Sequence, residues 1–137
     1  MKEKQRNRGQ LEAKVQSELP GITELAPNIY QLHSEKLGSH VYLVKGYTRN
    51  VLIDTGVTSG LPMLKARLSQ LGLCIKDISL ILLTHEHFDH IGATAFFHQT
   101  AVVAAHRLAA NKLELQDEFV TFYKYRDQPS KPFCVDL

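Results

Sequence analysis

An apolar run passes directly into a cluster of metal-binding residue types in ISLILLTHEHFDH, residues 78–90. Its first six positions are apolar except for Ser79, which is typical of a strand buried on both faces of a sheet. The positions that follow contain His85, His87, Asp89 and His90. Neutral imidazole and carboxylate oxygen are ligands of zinc and related divalent ions. The stretch therefore predicts a buried strand with a metal site at its carboxyl end.

The spacing of these side chains suits two adjacent ions. His85 and His87 are two residues apart, so in extended backbone they project to the same side of the chain. Asp89 and His90 follow where the backbone is expected to turn into a helix. The alternative is a surface cluster in which Asp89 caps that helix. We favour metal binding, because three imidazoles and a carboxylate beside an apolar strand would be costly to bury without an ion.

The other histidines have no comparable spacing. They are His33, His40, His98 and His106. Structural roles are the simpler interpretation for all four. His106, which follows a predicted strand, is the one expected to come nearest to the site if any does.

The flanking sequence predicts strands before residue 78 and alternating strands and helices around and after it. The predicted helix at 59–71 has Ser59 as a cap, Pro62 in its first turn and Gly72 as a stop signal. The predicted elements are strands within 22–32 and at 41–44, 51–53, 78–83 and 101–105, helices at 59–71, 91–98 and 107–126, and a further strand beginning within 133–137. This order indicates an α/β fold, a mixed sheet with helices packed on it.

Composition sets the broad class. A chain of 137 residues with 44% hydrophobic and 22% charged residues is expected to form one globular domain. We predict a flexible basic arm over residues 1–19 and the folded domain over residues 20–137. The net charge of +2 is too small to indicate a membrane or nucleic-acid surface. Two cysteines without a CxxC pair, and no signal-like or membrane-spanning apolar stretch, predict a cytoplasmic protein.

THEHFDHIGA, residues 84–93, resembles the HxHxDH signature of the metallo-β-lactamase superfamily, which includes glyoxalase II-like thioesterases, lactonases and RNA-processing nucleases. LIDTG, residues 52–56, is similar to the strand-ending Asp-Thr-Gly of the same family. The resemblance implies that His85 and His87 bind a first ion and that Asp89 and His90 bind a second. It also implies that Asp54 supports the ligand loop, a role that metal sites commonly require, and that Thr84 braces it. Glu86 is expected to be solvated or salt-bridged.

The resemblance further implies hydrolysis of a small ester, thioester or lactone by metal-bound hydroxide, with Asp89 orienting the nucleophile and handling its proton. Zinc is the expected cofactor, up to two ions, although iron or manganese suits the same ligands. A small-molecule substrate is favoured over nucleic acid because the predicted elements offer no nucleic-acid surface.

The sequence departs from the family pattern downstream. Family members usually add a histidine, a bridging aspartate and a final histidine, whereas no histidine follows His106. The expected architecture is the first half of the family's αβ/βα sandwich, a mixed sheet with helices on one face. We therefore expect a truncated enzyme or half of a split enzyme, whose exposed apolar face leads to self-association or to binding of a complementary C-terminal chain.

Two alternatives remain beside a hydrolase. One is an inactive metal-binding remnant or interaction module, because two ligands per ion are fewer than the three of a catalytic zinc site. The other is a nucleic-acid-processing protein that uses the basic arm, which steeply salt-dependent RNA binding would reveal. Whether the chain is an enzyme on its own is left open by the sequence.

Overall fold

The computed structural model describes residues 19–34, 38–115, 120–121 and 133–137. They form one six-stranded mixed sheet whose strands follow each other in chain order. The strands are β1 (Ile22–Ala26), β2 (Ile29–Leu32), β3 (Val41–Lys45), β4 (Asn50–Ile53), β5 (Ile78–Leu83) and β6 (Val102–Ala105). The first four pair antiparallel, and β4, β5 and β6 pair parallel. The predicted mixed sheet is confirmed, whereas the predicted basic arm lies, apart from residue 19, outside the described residues.

The helix between β4 and β5 agrees with the prediction except at its start. Helix α1 spans Leu61–Gln70, with Pro62 in its first turn, and Gly72 follows its end with a φ of 75°. Ser59 does not cap it. Instead Ser59 lies in a short 3-10 helix, Thr58–Gly60, and Gly60 is the residue before α1.

The predicted helix at 91–98 is wrong in its bounds. Helix α2 spans Phe88–Ile91, so it begins within the ligand motif, and a separate 3-10 helix covers Thr94–Phe97. The break falls at Gly92 and Ala93, where the backbone packs against the loop that follows β4. The amide of Gly92 donates to the Gly56 carbonyl at 2.8 Å instead of continuing the helix.

The third predicted helix is confirmed only over its first part. Helix α3 spans Arg107–Glu114, and the remainder of the predicted 107–126 helix lies, except for residues 115, 120 and 121, outside the described residues. Residues 133–137 run beside β6 without forming a regular strand. The amide of Leu137 donates to the Val103 carbonyl, and the amide of Ala105 donates to the Leu137 carbonyl.

The helices cover one face of the sheet. A row of directly paired residues on that face is at most 1% exposed: Leu43, Leu52, Ile81 and Val103. Leu64 and Leu68 of α1 pack against this core together with Phe97. The predicted placement of helices on one face is therefore confirmed.

The other face of the sheet is apolar and only partly covered. Cross-strand partners lie on the same face of a sheet, and two rows of them occur here. The rows are Tyr42, Ile53, Leu82 and Ala104, and Val44, Val51, Leu80 and Val102. Leu82 is 39% and Val102 41% exposed, so the prediction that the residue 78–83 strand is buried on both faces is wrong for the described residues. These eight residues are called the open face below.

No helix within the described ranges is both long enough and apolar enough to cross a bilayer. Cys74 and Cys134 are both free and exposed.

Candidate functional site

The predicted ligands lie where β5 passes into α2. His85 and His87 occupy the extended connection, and Asp89 and His90 lie in the single turn of α2. The ring centroids of His85 and His90 are 3.9 Å apart, and those of His85 and His87 are 4.7 Å apart. The three imidazoles therefore form one cluster rather than pointing in different directions.

Asp54 forms hydrogen bonds with both ends of the ligand loop, residues 84–90. It directly follows β4 and lies in the left-handed region, with a φ of 60°, and its side chain is buried. Because β4 and β5 are parallel neighbours, the carboxyl end of β4 lies beside the start of the ligand loop. One carboxylate oxygen of Asp54 accepts from the Thr84 amide at 2.8 Å. The other lies 2.7 Å from the Thr84 hydroxyl and 2.7 Å from His90 Nδ1.

These contacts determine which imidazole nitrogens carry hydrogen. A carboxylate only accepts, so His90 donates from Nδ1, and in its neutral form Nε2 keeps a lone pair. The single hydrogen of the Thr84 hydroxyl is donated to Asp54. The same hydroxyl, 2.9 Å from His85 Nδ1, therefore accepts from that nitrogen, and Nε2 of His85 keeps its lone pair as well. Asp54 and Thr84 thus leave a lone pair on Nε2 of both neutral rings.

Asp89 and His90 converge at Ser39, which lies just before β3. Asp89 Oδ2 is 3.6 Å from His90 Nε2. The Ser39 hydroxyl oxygen is 2.7 Å from that carboxylate oxygen and 2.6 Å from that nitrogen. Sequence reasoning missed Ser39, because a serine 50 residues upstream of Asp89 carries no motif and is placed only by the folding of the sheet.

The Asp-Thr-Gly loop also holds the backbone of the ligand loop. The amide of Thr55 donates to the His90 carbonyl at 2.7 Å, and its buried hydroxyl contacts the Thr94 hydroxyl at 3.0 Å. The Thr58 hydroxyl donates to the Gly92 carbonyl at 3.0 Å. A Cβ added at Gly92 would lie 2.3 Å from the Thr58 amide nitrogen, so only glycine permits this approach.

Glu86 and Phe88, the two variable positions of the HxHxDH motif, contact other elements of the fold. Glu86 is buried and forms an ion pair with Lys112 of α3. Burial raises the pKa of Glu86, but the hydrogen bond from Lys112 and neighbouring positive charge outweigh it, and the pKa lies below its ordinary value. Glu86 is thus salt-bridged, one of the two environments expected for it. Phe88 packs at the edge of the core, and its amide donates to the Thr121 carbonyl.

The electrostatic environment favours the neutral form of His85. Burial is the largest cause, and the adjacent rings of His90 and His87 add to it, so the pKa of His85 lies below its ordinary value. The carboxylates of Asp54 and Asp89 oppose this shift without cancelling it. A neutral imidazole is the form that binds a metal ion.

The remaining histidines have other partners. His33 contacts the Thr23 hydroxyl through Nε2, and its ring lies 5.2 Å from that of His40. His98 contacts the Ala95 carbonyl. His106 precedes α3 and accepts from the Leu108 amide, so it serves as a helix cap.

No three histidine, cysteine, aspartate or glutamate side chains form a ready metal-binding group within the described ranges. The chemistry of the donors nevertheless fits a divalent ion. Nε2 of His90, with its lone pair, lies near a carboxylate oxygen of Asp89, and the ring of His85 lies against that of His90. Imidazole nitrogen and carboxylate oxygen are ligands that zinc, iron and manganese accept.

A model of the metallo-beta-lactamase superfamily matches residues 35–134, which is most of the chain. The chain belongs to the metallo-beta-lactamase superfamily. Among solved members, a subclass B3 metallo-beta-lactamase of Bradyrhizobium japonicum is similar with a TM-score of 0.70 and 31% identity, over 85% of this chain and 44% of that one. A metallo-beta-lactamase of Elizabethkingia meningoseptica is similar with a TM-score of 0.70 and 29% identity, over 84% and 43% of the two chains.

Two curated proteins match shorter stretches of this chain. A probable metallo-hydrolase of Methanocaldococcus jannaschii is 42% identical over 65 residues, 47% of this chain and 30% of the relative. An N-acyl homoserine lactonase of Agrobacterium fabrum is 37% identical over 74 residues, 53% of this chain and 23% of the relative. The chain therefore spans less than half the length of these four proteins.

Proposed function

We propose that the chain carries the metal-binding part of a hydrolase that acts on a small ester, thioester or lactone. In this proposal His85 and His87 bind one divalent ion, and Asp89 and His90 bind a second. Zinc is the ion we favour, with iron and manganese suited to the same donors. The observation that carries the proposal is the contact of Asp54 with both Thr84 and His90, which orients His90 directly and His85 through Thr84 and leaves a lone pair on Nε2 of each neutral ring.

A divalent ion in this cluster would supply Lewis acidity and lower the pKa of water to near neutrality. The protein residues would supply position and proton transfer. Asp54 would keep the Nδ1 hydrogen of His90 in place, so that Nε2 remains the ligand atom. Asp89, whose carboxylate is partly exposed beside His90, would orient the attacking water and then hold its proton.

The relatives support an acyl substrate. One is by name a lactonase and others are by name beta-lactamases, so both names refer to the opening of a cyclic acyl bond. A small-molecule lactone or related ester is therefore the first substrate class to test.

Completion of the site is part of the proposal. Asp89, His90, His85 and His87 give each ion two ligands, and a catalytic zinc site has three protein ligands. We propose that remaining ligands come from a polypeptide segment that packs on the open face, supplied for example by a complementary chain or by a second copy. The free, exposed thiols of Cys74 and Cys134 support a reducing, cytoplasmic location as part of the same proposal.

Metal analysis of the chain tests the site directly. After equilibration with zinc and dialysis, the chain should retain metal, and a His85→Ala/His87→Ala variant should lose about half of it, because one of the two ions loses its ligands. His98→Ala, which changes an exposed histidine away from the cluster, should bind as the unchanged chain does. Equal zinc content in all three proteins would refute the assignment of the ligands.

Hydrolysis is the second measurement. The zinc-loaded chain, alone and mixed with a separately produced C-terminal half of a related lactonase, should open a homoserine lactone. Zinc retained by the cluster with no hydrolysis of any ester, thioester or lactone in either case would instead favour a metal-binding remnant or interaction module.

A further inference from the structure

Ser39 lies outside the HxHxDH motif but contacts two of its residues. It lies in the connection between β2 and β3, immediately before His40 and the buried Val41, and it is half-buried. Its hydroxyl reaches across the sheet edge to two residues of α2 that are 50 and 51 positions away in the chain. Those two residues, Asp89 and His90, are the pair assigned above to the second ion.

When the His90 ring is neutral, this contact has fewer hydrogens than lone pairs. His90 donates its Nδ1 hydrogen to Asp54, so its Nε2 offers a lone pair in the neutral ring. Asp89 Oδ2 only accepts. The Ser39 hydroxyl, 2.6 Å from the nitrogen and 2.7 Å from the oxygen, has a single hydrogen to share between them. Three electron-rich atoms thus face one another with one hydrogen among them, which is an arrangement that a cation stabilises.

We propose that the Ser39 hydroxyl oxygen is a further protein ligand of the divalent ion bound by Asp89 and His90. This inference rests on the proposed function and deepens it. A serine oxygen, a carboxylate oxygen and an imidazole nitrogen together make three protein ligands, the number found in catalytic zinc sites that keep one position for water or substrate. The second ion would then be held by two parts of the fold, the connection before β3 and the turn of α2, rather than by α2 alone.

Cobalt(II) titration of the 137-residue chain tests this with a readout other than activity. The titrations use a Cys74→Ala/Cys134→Ala background, because both native thiols are free and exposed. Ser39→Ala should weaken binding of the second equivalent of cobalt by about tenfold or more. Ser39→Cys should bind it and gain a thiolate-to-cobalt charge-transfer band in the near ultraviolet, because thiolate is a strong ligand of such ions.

Ser69→Cys is the matched control. Ser69 lies exposed on α1, so its thiol should give no such band. Absence of the band in Ser39→Cys, with cobalt affinity of Ser39→Ala within twofold of the parent, would overturn the inference. If the parent binds cobalt through His85 and His87 but is indifferent to Ser39, only this inference falls. If the parent binds no cobalt at all, the proposed function falls with it.

Discussion

At the scale of single residues, Asp54 links the fold to the candidate site. Its positive φ turns the chain after β4, so that its carboxylate accepts hydrogen bonds from the Thr84 amide, the Thr84 hydroxyl and His90 Nδ1. Asparagine tolerates the same backbone conformation, but it replaces one acceptor oxygen by a donor. The substitution Asp54→Asn therefore separates the effect of the carboxylate from that of the backbone.

We expect Asp54→Asn to lower the free energy of unfolding by about 1–3 kcal/mol, because a buried donor loses its acceptor. Zinc affinity should fall by about 10–100-fold, because His90 loses the partner that orients it. Urea denaturation and zinc titration measure the two effects. Asp77→Asn is the control, since its exposed carboxylate accepts from the Cys74 amide and the side-chain oxygen of asparagine can accept the same hydrogen bond. Equal losses in the two variants would contradict this role of Asp54.

His85 gives a prediction about pH. Its pKa is lowered in the folded chain by burial and by His90 and His87, so the unfolded chain binds the proton more readily. Protonation then favours unfolding. In the metal-free chain the stability should be fully present above the ordinary histidine pKa of about 6.5, and it should fall as the pH drops from there towards the lower folded pKa.

Urea midpoints measured with a chelator between about pH 5 and 7.5 report this slope, which for one proton cannot exceed about 1.4 kcal/mol per pH unit. His85→Asn should show a shallower slope than the unchanged chain, whereas His98→Asn should keep it. An unchanged slope in His85→Asn would show that other groups account for the acid sensitivity.

At the scale of elements, two loops pack closely against each other. The loop after β4 and the turn after α2 meet at Gly92, where the nearest backbone atoms of Thr58 and Val57 would lie 2.3 and 2.6 Å from an added Cβ. Backbone atoms cannot move aside as a flexible side chain can. This contact keeps the Asp-Thr-Gly loop and the ligand loop in register.

Gly92→Ala should therefore destabilise the chain by about 1–3 kcal/mol and weaken zinc binding, because the two loops must separate. Gly60→Ala is the matched control. Gly60 has an ordinary helical φ of −81°, and its added Cβ would meet only a Val57 methyl group at 3.3 Å. We expect that change to be nearly neutral in urea denaturation. Retention of full stability by Gly92→Ala would mean that the loops adjust independently.

The sequence predicted the parts of the fold that depend on local pattern. The apolar run of β5, the strands β3 and β4, and α1 with Pro62 and the following Gly72 are all signalled by residues in or next to the element itself. The ligand motif was recognisable for the same reason, since its members fall within six consecutive positions.

What the sequence did not predict depends on contacts between distant segments. The break at Gly92 follows from its packing against Thr58, and no pattern within 91–98 reveals it. Ser39 was missed because its neighbours, Asp89 and His90, reach it only once β3 and β5 are in place. The same holds for Lys112, whose ion pair with Glu86 requires α3 to lie beside the ligand loop.

At the scale of the whole molecule, the two faces of the sheet differ. The helix-covered row from Leu43 to Val103 is fully buried, whereas the open face offers Leu82 and Val102 to solvent. Each large apolar side chain that becomes buried contributes about 1.5–3 kcal/mol. A second copy or a complementary chain laid over this face would therefore be stabilised by the surface that now meets water.

We expect the 137-residue chain to self-associate at micromolar to millimolar concentration. The double variant Leu82→Glu/Val102→Glu should shift it towards the monomer, because burying two carboxylates in an apolar contact is costly. Leu108→Glu is the control, since Leu108 is 60% exposed on α3, away from the open face. Sedimentation velocity of the three proteins measures the shift. Monomers at every concentration, with no hydrophobic-dye binding by the unchanged chain, would contradict the prediction.

If the open face instead binds a complementary chain, the double variant should also lose any lactone hydrolysis gained on mixing with a C-terminal half, while its zinc content stays unchanged.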